Sequence, residues 1–147
     1  MGELQTSFDV YPGVEKLTVE IDSYGVADGK YFYFDLPFAP SLFPGGTDHR
    51  SLPYYISWQN EETIRTTIDL PPGFRRIVIA PEDQNLAAPA GGGIARVKSQ
   101  DTPGRRVITH ELDVSPAVVS PAQYASLQDL ESTLGRKSAK VFLLEKD

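Results

Sequence analysis

The stretch Glu62–Leu70 (ETIRTTIDL) restricts the possible folds of this chain more than any other segment. Ile64, Thr66, Ile68 and Leu70 alternate with Thr63, Arg65, Thr67 and Asp69. A period of two sends successive side chains to opposite faces, so the segment reads as a strand with one face buried. Pro71-Pro72-Gly73 follows as a turn, because proline presets φ and glycine accepts positive φ. Phe74–Ala80 then reads as the next strand, with Ile77 and Ile79 opposite Arg76 and Val78.

The same pattern recurs elsewhere. Lys16–Asp22 (KLTVEID) puts Leu17, Val19 and Ile21 on one face. Lys30–Leu36 (KYFYFDL) is rich in aromatics, which suit strands, with Phe32, Phe34 and Leu36 opposite Tyr31, Tyr33 and Asp35. Tyr54–Trp58 reads as a short strand, and Ile94–Gln100 with Arg105–Val114 as a hairpin across Asp101-Thr102-Pro103-Gly104. Lys140–Leu144 reads as a closing strand. Pro37–Pro53 and Pro81–Gly93 read as irregular segments. One helix is expected. Ser120 stands at the N-cap, Pro121 at the first helical position and Gln123 at the capping-box position, each a favoured placement. Tyr124, Leu127, Leu130 or Glu131, and Leu134 follow at helical spacing, and Gly135 marks a stop. About eight strands with no strand–helix alternation predict an all-β chain, specifically an immunoglobulin-like antiparallel β-sandwich with one short C-terminal helix. Residues 1–147 are expected to form a single domain, with 1–48 supplying N-terminal strands of the same sandwich.

Composition narrows the function. The chain holds 20 Asp plus Glu against 14 Lys plus Arg, for a net charge of −6, so it lacks the bulk positive charge of a nucleic-acid binder. No apolar run reaches the roughly 18–20 residues of a membrane helix, so no membrane insertion is expected. There is no cysteine, which removes thiol catalysis, disulfides and thiolate metal sites. His49 and His110 are the only histidines. No cofactor, metal site or enzymatic activity is expected.

From residue 49 onward the order of segments resembles the C-terminal β domain, a domain of unknown function, of bacterial proteins with a transglutaminase-like, papain-fold core. The matching pieces are Arg50, Pro53 and Tyr54-Tyr55, then the strand Thr63–Leu70 and the turn LPPGF at Leu70–Phe74. The hairpin strand Arg105–Val114, the stretch Val119–Tyr124, the helix and the last strand complete the match, with a looser likeness at Tyr31–Leu36. The resemblance is strongest over residues 49–147. It implies a non-catalytic module of a larger envelope or secreted protein, periplasmic or extracellular. Its partner would be the neighbouring transglutaminase-like domain in the same polypeptide. The Cys, His and Asp that catalyse in that family belong to the core domain, and none carries over to this chain.

Five aromatics form the candidate interaction surface: Tyr31, Tyr33, Tyr54, Tyr55 and Trp58. Aromatic side chains serve cores and interfaces alike, and an exposed set would equally suit stacking on sugar rings. Glycan binding is therefore the alternative to domain packing, and strand addition of a peptide at an open sheet edge is a third reading. His110 alternates with Ile108, Leu112 and Val114, which makes it a structural histidine, pointing partly into the core or across a strand pair. His49 is expected in a loop. Gly91-Gly92-Gly93 precedes a strand rather than a helix, so it reads as a flexible loop and not a phosphate cradle. Asp22, Asp28, Asp48, Glu82, Asp83 and Asp101 lack the close spacing of a calcium loop and read as solvated loop tips.

Overall fold

A computed structural model describes residues 3–7, 14–18, 21, 24–36, 41–43 and 49–146; the side chains of residues 3–18 and of Arg75 are not described. Among the described residues, twelve strands and one α-helix occur in the order β1 (Glu3–Ser7), β2 (Val14–Thr18), β3 (Val26–Asp28), β4 (Tyr31–Asp35), β5 (Tyr54–Ile56), β6 (Asn60–Asp69), β7 (Phe74–Ile79), β8 (Gln84–Ala87), β9 (Gly93–Thr102), β10 (Arg105–Val114), β11 (Ala117–Val119), α1 (Pro121–Leu134) and β12 (Val141–Lys146). Every strand pairing is antiparallel. The chain is an all-β, sandwich-like fold with one short helix, the class its alternation predicts.

Two four-stranded sheets make the layers. The first has the order β6-β10-β9-β8 and the second β3-β4-β12-β7, while β11-β5 and β1-β2 form two-stranded sheets. Both large sheets contribute to one buried cluster: Val97 and Ile108 from the first meet Leu36 and Phe142 from the second side, with Phe34, Ile68 and Ile77 packed around them. Phe142 and Phe34 stack with centroids 5.1 Å apart and rings 9° from parallel. The other end of the first sheet is covered by α1 and the small sheet. There Ala95, Leu112 and Val114 pack with Ile56, Val119, Tyr124, Leu127, Leu130 and Leu134. The buried helix residues are Tyr124, Leu127, Leu130 and Leu134, so of the two residues the spacing allowed at the third position it is Leu130 that faces the core.

The helix begins as expected. The Gln123 Oε1 accepts from the Ser120 N–H at 3.2 Å and from the Ser120 hydroxyl at 2.9 Å. It ends at Gly135, whose φ of −81° is ordinary right-handed backbone rather than the left-handed cap that glycine usually supplies. The hairpin β9–β10 closes on Pro103-Gly104, with Gly104 at φ +73°.

Several boundaries differ from expectation. The strand read over Lys16–Asp22 runs over Val14–Thr18, and Ile21 lies outside any strand; residues 19, 20 and 22 fall outside the described set. The irregular segment Pro81–Gly93 contains β8 and a 3₁₀ turn at Pro89–Gly91. The strands β1, β3, β8 and β11 are three to five residues long, too short for an alternation to announce them. The triple glycine, read as a flexible loop, is a close-packed corner: a Cβ on Gly93 would lie 2.2 Å from the Asp113 carbonyl oxygen, and one on Gly92 2.8 Å from Ile56.

Candidate functional site

The five aromatics divide among three environments. Tyr54 and Trp58 are half-buried against the helix-side core. Trp58 packs on Phe43 at 6.5 Å between centroids, and Tyr54 meets Tyr124 edge-on at 5.7 Å. The Arg50 guanidinium lies over both tyrosine rings, at 4.9 and 5.3 Å. Burial, ahead of the electrostatic contributions, raises the Tyr54 hydroxyl above its ordinary pKa. Arg50, Tyr54 and Tyr124 thus form one packed unit joining the start of β5 to α1.

Tyr55 alternates outward from Tyr54. It is 64% exposed and stands opposite Val118, which is 59% exposed. Tyr31 and Tyr33 lie together on the outer face of the second sheet. Tyr33 pairs with Val26 on one side and Leu143 on the other, and Leu143 pairs with Ile79. Cross-strand partners share a face, so Val26, Tyr33, Leu143 and Ile79 form an apolar row across all four strands. Val26 is 64% exposed and Ile79 47%. A register shift in the β12–β7 ladder at Leu143/Leu144 sets Ile79 opposite Leu143, a bulge of the kind that re-aims edge side chains.

Polar groups border this row. On one side the Tyr33 hydroxyl donates to Asp35 Oδ1 at 2.9 Å, and the Tyr24 hydroxyl donates to the Asp35 carbonyl at 2.6 Å. On the other, Glu145 accepts from Lys30 and, at 3.1 Å, from Arg76. Hydrogen bonding to Lys30 is the leading cause that holds the Glu145 carboxyl below its usual pKa. Lys30 lies 5.1 Å from the Tyr31 ring centroid and Lys137 5.9 Å from that of Tyr33. Sequence reasoning singled out Tyr31 and Tyr33 but not Val26, Leu143 or Ile79. Their signal was the outward half of each strand's alternation, readable only once the pairing was known.

His110 is 1% exposed on the inner face of β10, as its apolar neighbours predict. It borders a recess with Pro81, Glu82, Gln84, Val97, Leu134 and Ala139. Burial lowers its pKa below the ordinary histidine value. A histidine kept neutral in the native state binds more protons when unfolded, so stability is greatest above about pH 6.5 and falls as pH drops through and below that value. The slope approaches about 1.4 kcal/mol per pH unit for one proton. We expect urea midpoints to decline between pH 7 and pH 5, and His110→Gln to flatten that decline. An equal pH slope in the variant would exclude His110 as its source. The Glu145 contribution lies in a lower window, lost only as pH falls through its depressed carboxylate pKa.

His49 is exposed and lies outside any strand. Of the acidic residues read as loop tips, Asp28 sits in β3 and Asp101 in β9, where it pairs with Arg106 at 3.4 Å; Asp83 accepts from the Ser99 N–H at 2.8 Å. Asp22 and Asp48 fall outside the described residues. Among the described residues no group of three or more His, Asp or Glu is placed to hold a metal ion, and no helix is long and apolar enough to cross a membrane.

A two-layer antiparallel sandwich, capped by one helix and presenting an apolar row bordered by polar groups, places the protein among β-sandwich domains. The match of residues 31–144 to a family model is more specific: the chain belongs to DUF3858, a domain family of unknown function with a solved structure. No curated protein and no solved structure matches it.

Proposed function

We propose that this domain is a non-catalytic accessory module. It packs on, and so positions, a transglutaminase-like domain of the same bacterial envelope or secreted polypeptide, in the periplasm or outside the cell. The observation that carries this reading is the row Val26–Tyr33–Leu143–Ile79, apolar across four strands and edged by Asp35, Lys30, Glu145 and Arg76. An apolar centre inside a polar rim is the usual anatomy of an interface. The sequence resemblance supplies the occupant. A covalent tether raises the local concentration of the two surfaces, so a modest apolar contact suffices to hold them together.

The glycan alternative draws less support, because two of its five stacking rings are engaged inside the fold, Trp58 with Phe43 and Tyr54 with Tyr124.

The test is the double variant Val26→Arg, Ile79→Arg in the native polypeptide. Both side chains are exposed, so stability of the domain itself should change by no more than about 0.5 kcal/mol each. Proteolysis between the domains should accelerate about tenfold as the charged row releases its neighbour. Cleavage at the parental rate, with folding intact, would contradict the proposal.

A further inference from the structure

The two large sheets have four edges, and three of them are blunted. The edge strand β3 has three residues and β8 has four, while β7 carries the bulged pairing with β12. Short and bulged edges are the usual defences against unwanted strand pairing. The fourth edge, β6, differs. It is ten residues long, contains neither proline nor glycine, and pairs with β10 in unbroken register from Asn60 to Asp69. Among the described strands it pairs with β10 alone. In a strand, alternate residues aim their backbone N–H and C=O groups to opposite sides, so half of the β6 backbone groups are directed away from the sheet.

The side chains specify what such an edge would accept. On its inner face Ile64 and Ile68 are only partly covered, because the sheet stops at this strand. An added strand would place apolar side chains beside them and lengthen the core. On the outer face Glu61 stands directly opposite Asp113, and like charges so placed repel. Glu61 and Glu62 line one groove with Asp113, Glu111 and Arg96; Glu111 is already paired with Arg96 at 3.7 Å and Lys98 at 3.5 Å, which leaves Glu61 and Asp113 as the facing like charges. A cation at that end of an added strand would relieve the repulsion.

We propose that β6 is a strand-addition site for an extended protein segment, one that alternates apolar and polar residues and carries basic residues at its C-terminal end. Antiparallel pairing sets that end beside Glu61 and Glu62, at the start of β6. This site is separate from the outer face of the second sheet and does not depend on which domain docks there.

The probe is a fluorescein-labelled ten-residue peptide alternating valine and threonine, with two lysines at its C-terminus. Saturable binding to the wild-type chain is expected, with slowed amide exchange at alternate residues of β6. N-methylation of alternate peptide nitrogens should abolish binding. The variant Glu61→Lys, Glu62→Lys, altered at two exposed positions, should bind about tenfold more weakly, and a peptide with its lysines moved to the N-terminus should also bind more weakly. Absence of binding, binding indifferent to both charge changes, or exchange protection on another edge would overturn the assignment. None of these results depends on the docking of a neighbouring domain, so the two proposals fail separately.

Discussion

Replacing Gly93 with alanine is expected to destabilise the domain by about 3–5 kcal/mol, combining backbone strain with overpacking. Gly93 opens β9 opposite Val114, with φ at +152°. Its absent side chain lets the Asp113 backbone approach to where a Cβ would lie 2.2 Å from the carbonyl oxygen. The obstructing atom belongs to the central ladder between β9 and β10, so it cannot swing aside as a side chain would. The N–H of Ala88 donates to the Gly93 carbonyl at 2.8 Å, and that of Ser115 to the Gly92 carbonyl at 3.0 Å. A shift at this corner therefore disturbs β8, β9 and the exit of β10 together. Gly91→Ala is the control. Its φ of +72° also favours glycine, but nothing lies within 4 Å of the added carbon, so a cost near 1 kcal/mol is expected. Urea unfolding of both variants checks the contrast, and equal costs would show that close approach at Gly93 is unimportant.

Glu131→Ala is the second large effect. The Glu131 Oε1 accepts from the backbone N–H groups of Leu42 and Phe43, each at 2.7 Å, and its Oε2 from the Ser41 hydroxyl at 3.0 Å. A helix carboxylate thereby anchors a segment some 90 residues earlier in sequence. Leu42 and Phe43 are 5% and 4% exposed and belong to the helix-side core. Hydrogen bonds to a charged acceptor contribute about 1.5–3 kcal/mol each, and leaving buried donors unmatched adds cost, so a loss of about 3–5 kcal/mol is expected. Glu131→Gln retains a carbonyl acceptor and should lose much less. Two local readouts separate release of the segment from general unfolding. Amide protection at Leu42 and Phe43 should vanish, and emission from Trp58, the single tryptophan, should shift to longer wavelength as Phe43 leaves it. Unchanged protection at those two amides would contradict the anchor.

These two residues also show where sequence reasoning stops. The alternation of Glu62–Leu70 and of Ile108–Val114 established the strands, the sandwich class and the structural role of His110, because period two is a local signal. The helix was legible for the same reason, from Ser120 through Leu134. Gly93 and Glu131 were not legible as key residues. Their importance comes from contacts with Asp113 and with Leu42 and Phe43, and nothing local encodes those contacts. The short strands β3, β8 and β11 escaped notice because three or four residues cannot display a period. β8 holds Gln84–Ala87, bracketed by proline and glycine that argued for a loop.

The candidate surface was partly legible. Tyr31 and Tyr33 were readable as outward residues of an aromatic strand, and they do share an exposed face. Their apolar neighbours Val26, Leu143 and Ile79 come from three other strands and join them only through the sheet order β3-β4-β12-β7. Tyr54 is the same residue type as Tyr31 and Tyr33, and Trp58 is likewise aromatic. The arrival of α1 and of Phe43 over them fixes their buried role, and both contacts are distant in sequence.

Hydroxyl-radical footprinting of the native polypeptide, compared with this chain alone, tests the docking account most directly. The account expects the native polypeptide to be far larger than the 16.2 kDa of this chain. In it Tyr33, Leu143 and Ile79 should be labelled several-fold less than in the chain alone, while Tyr55 on the small sheet keeps its labelling. Equal labelling of Tyr33, Leu143 and Ile79 in the two samples would mean that no neighbour covers the outer face of the second sheet, and would contradict the proposed role.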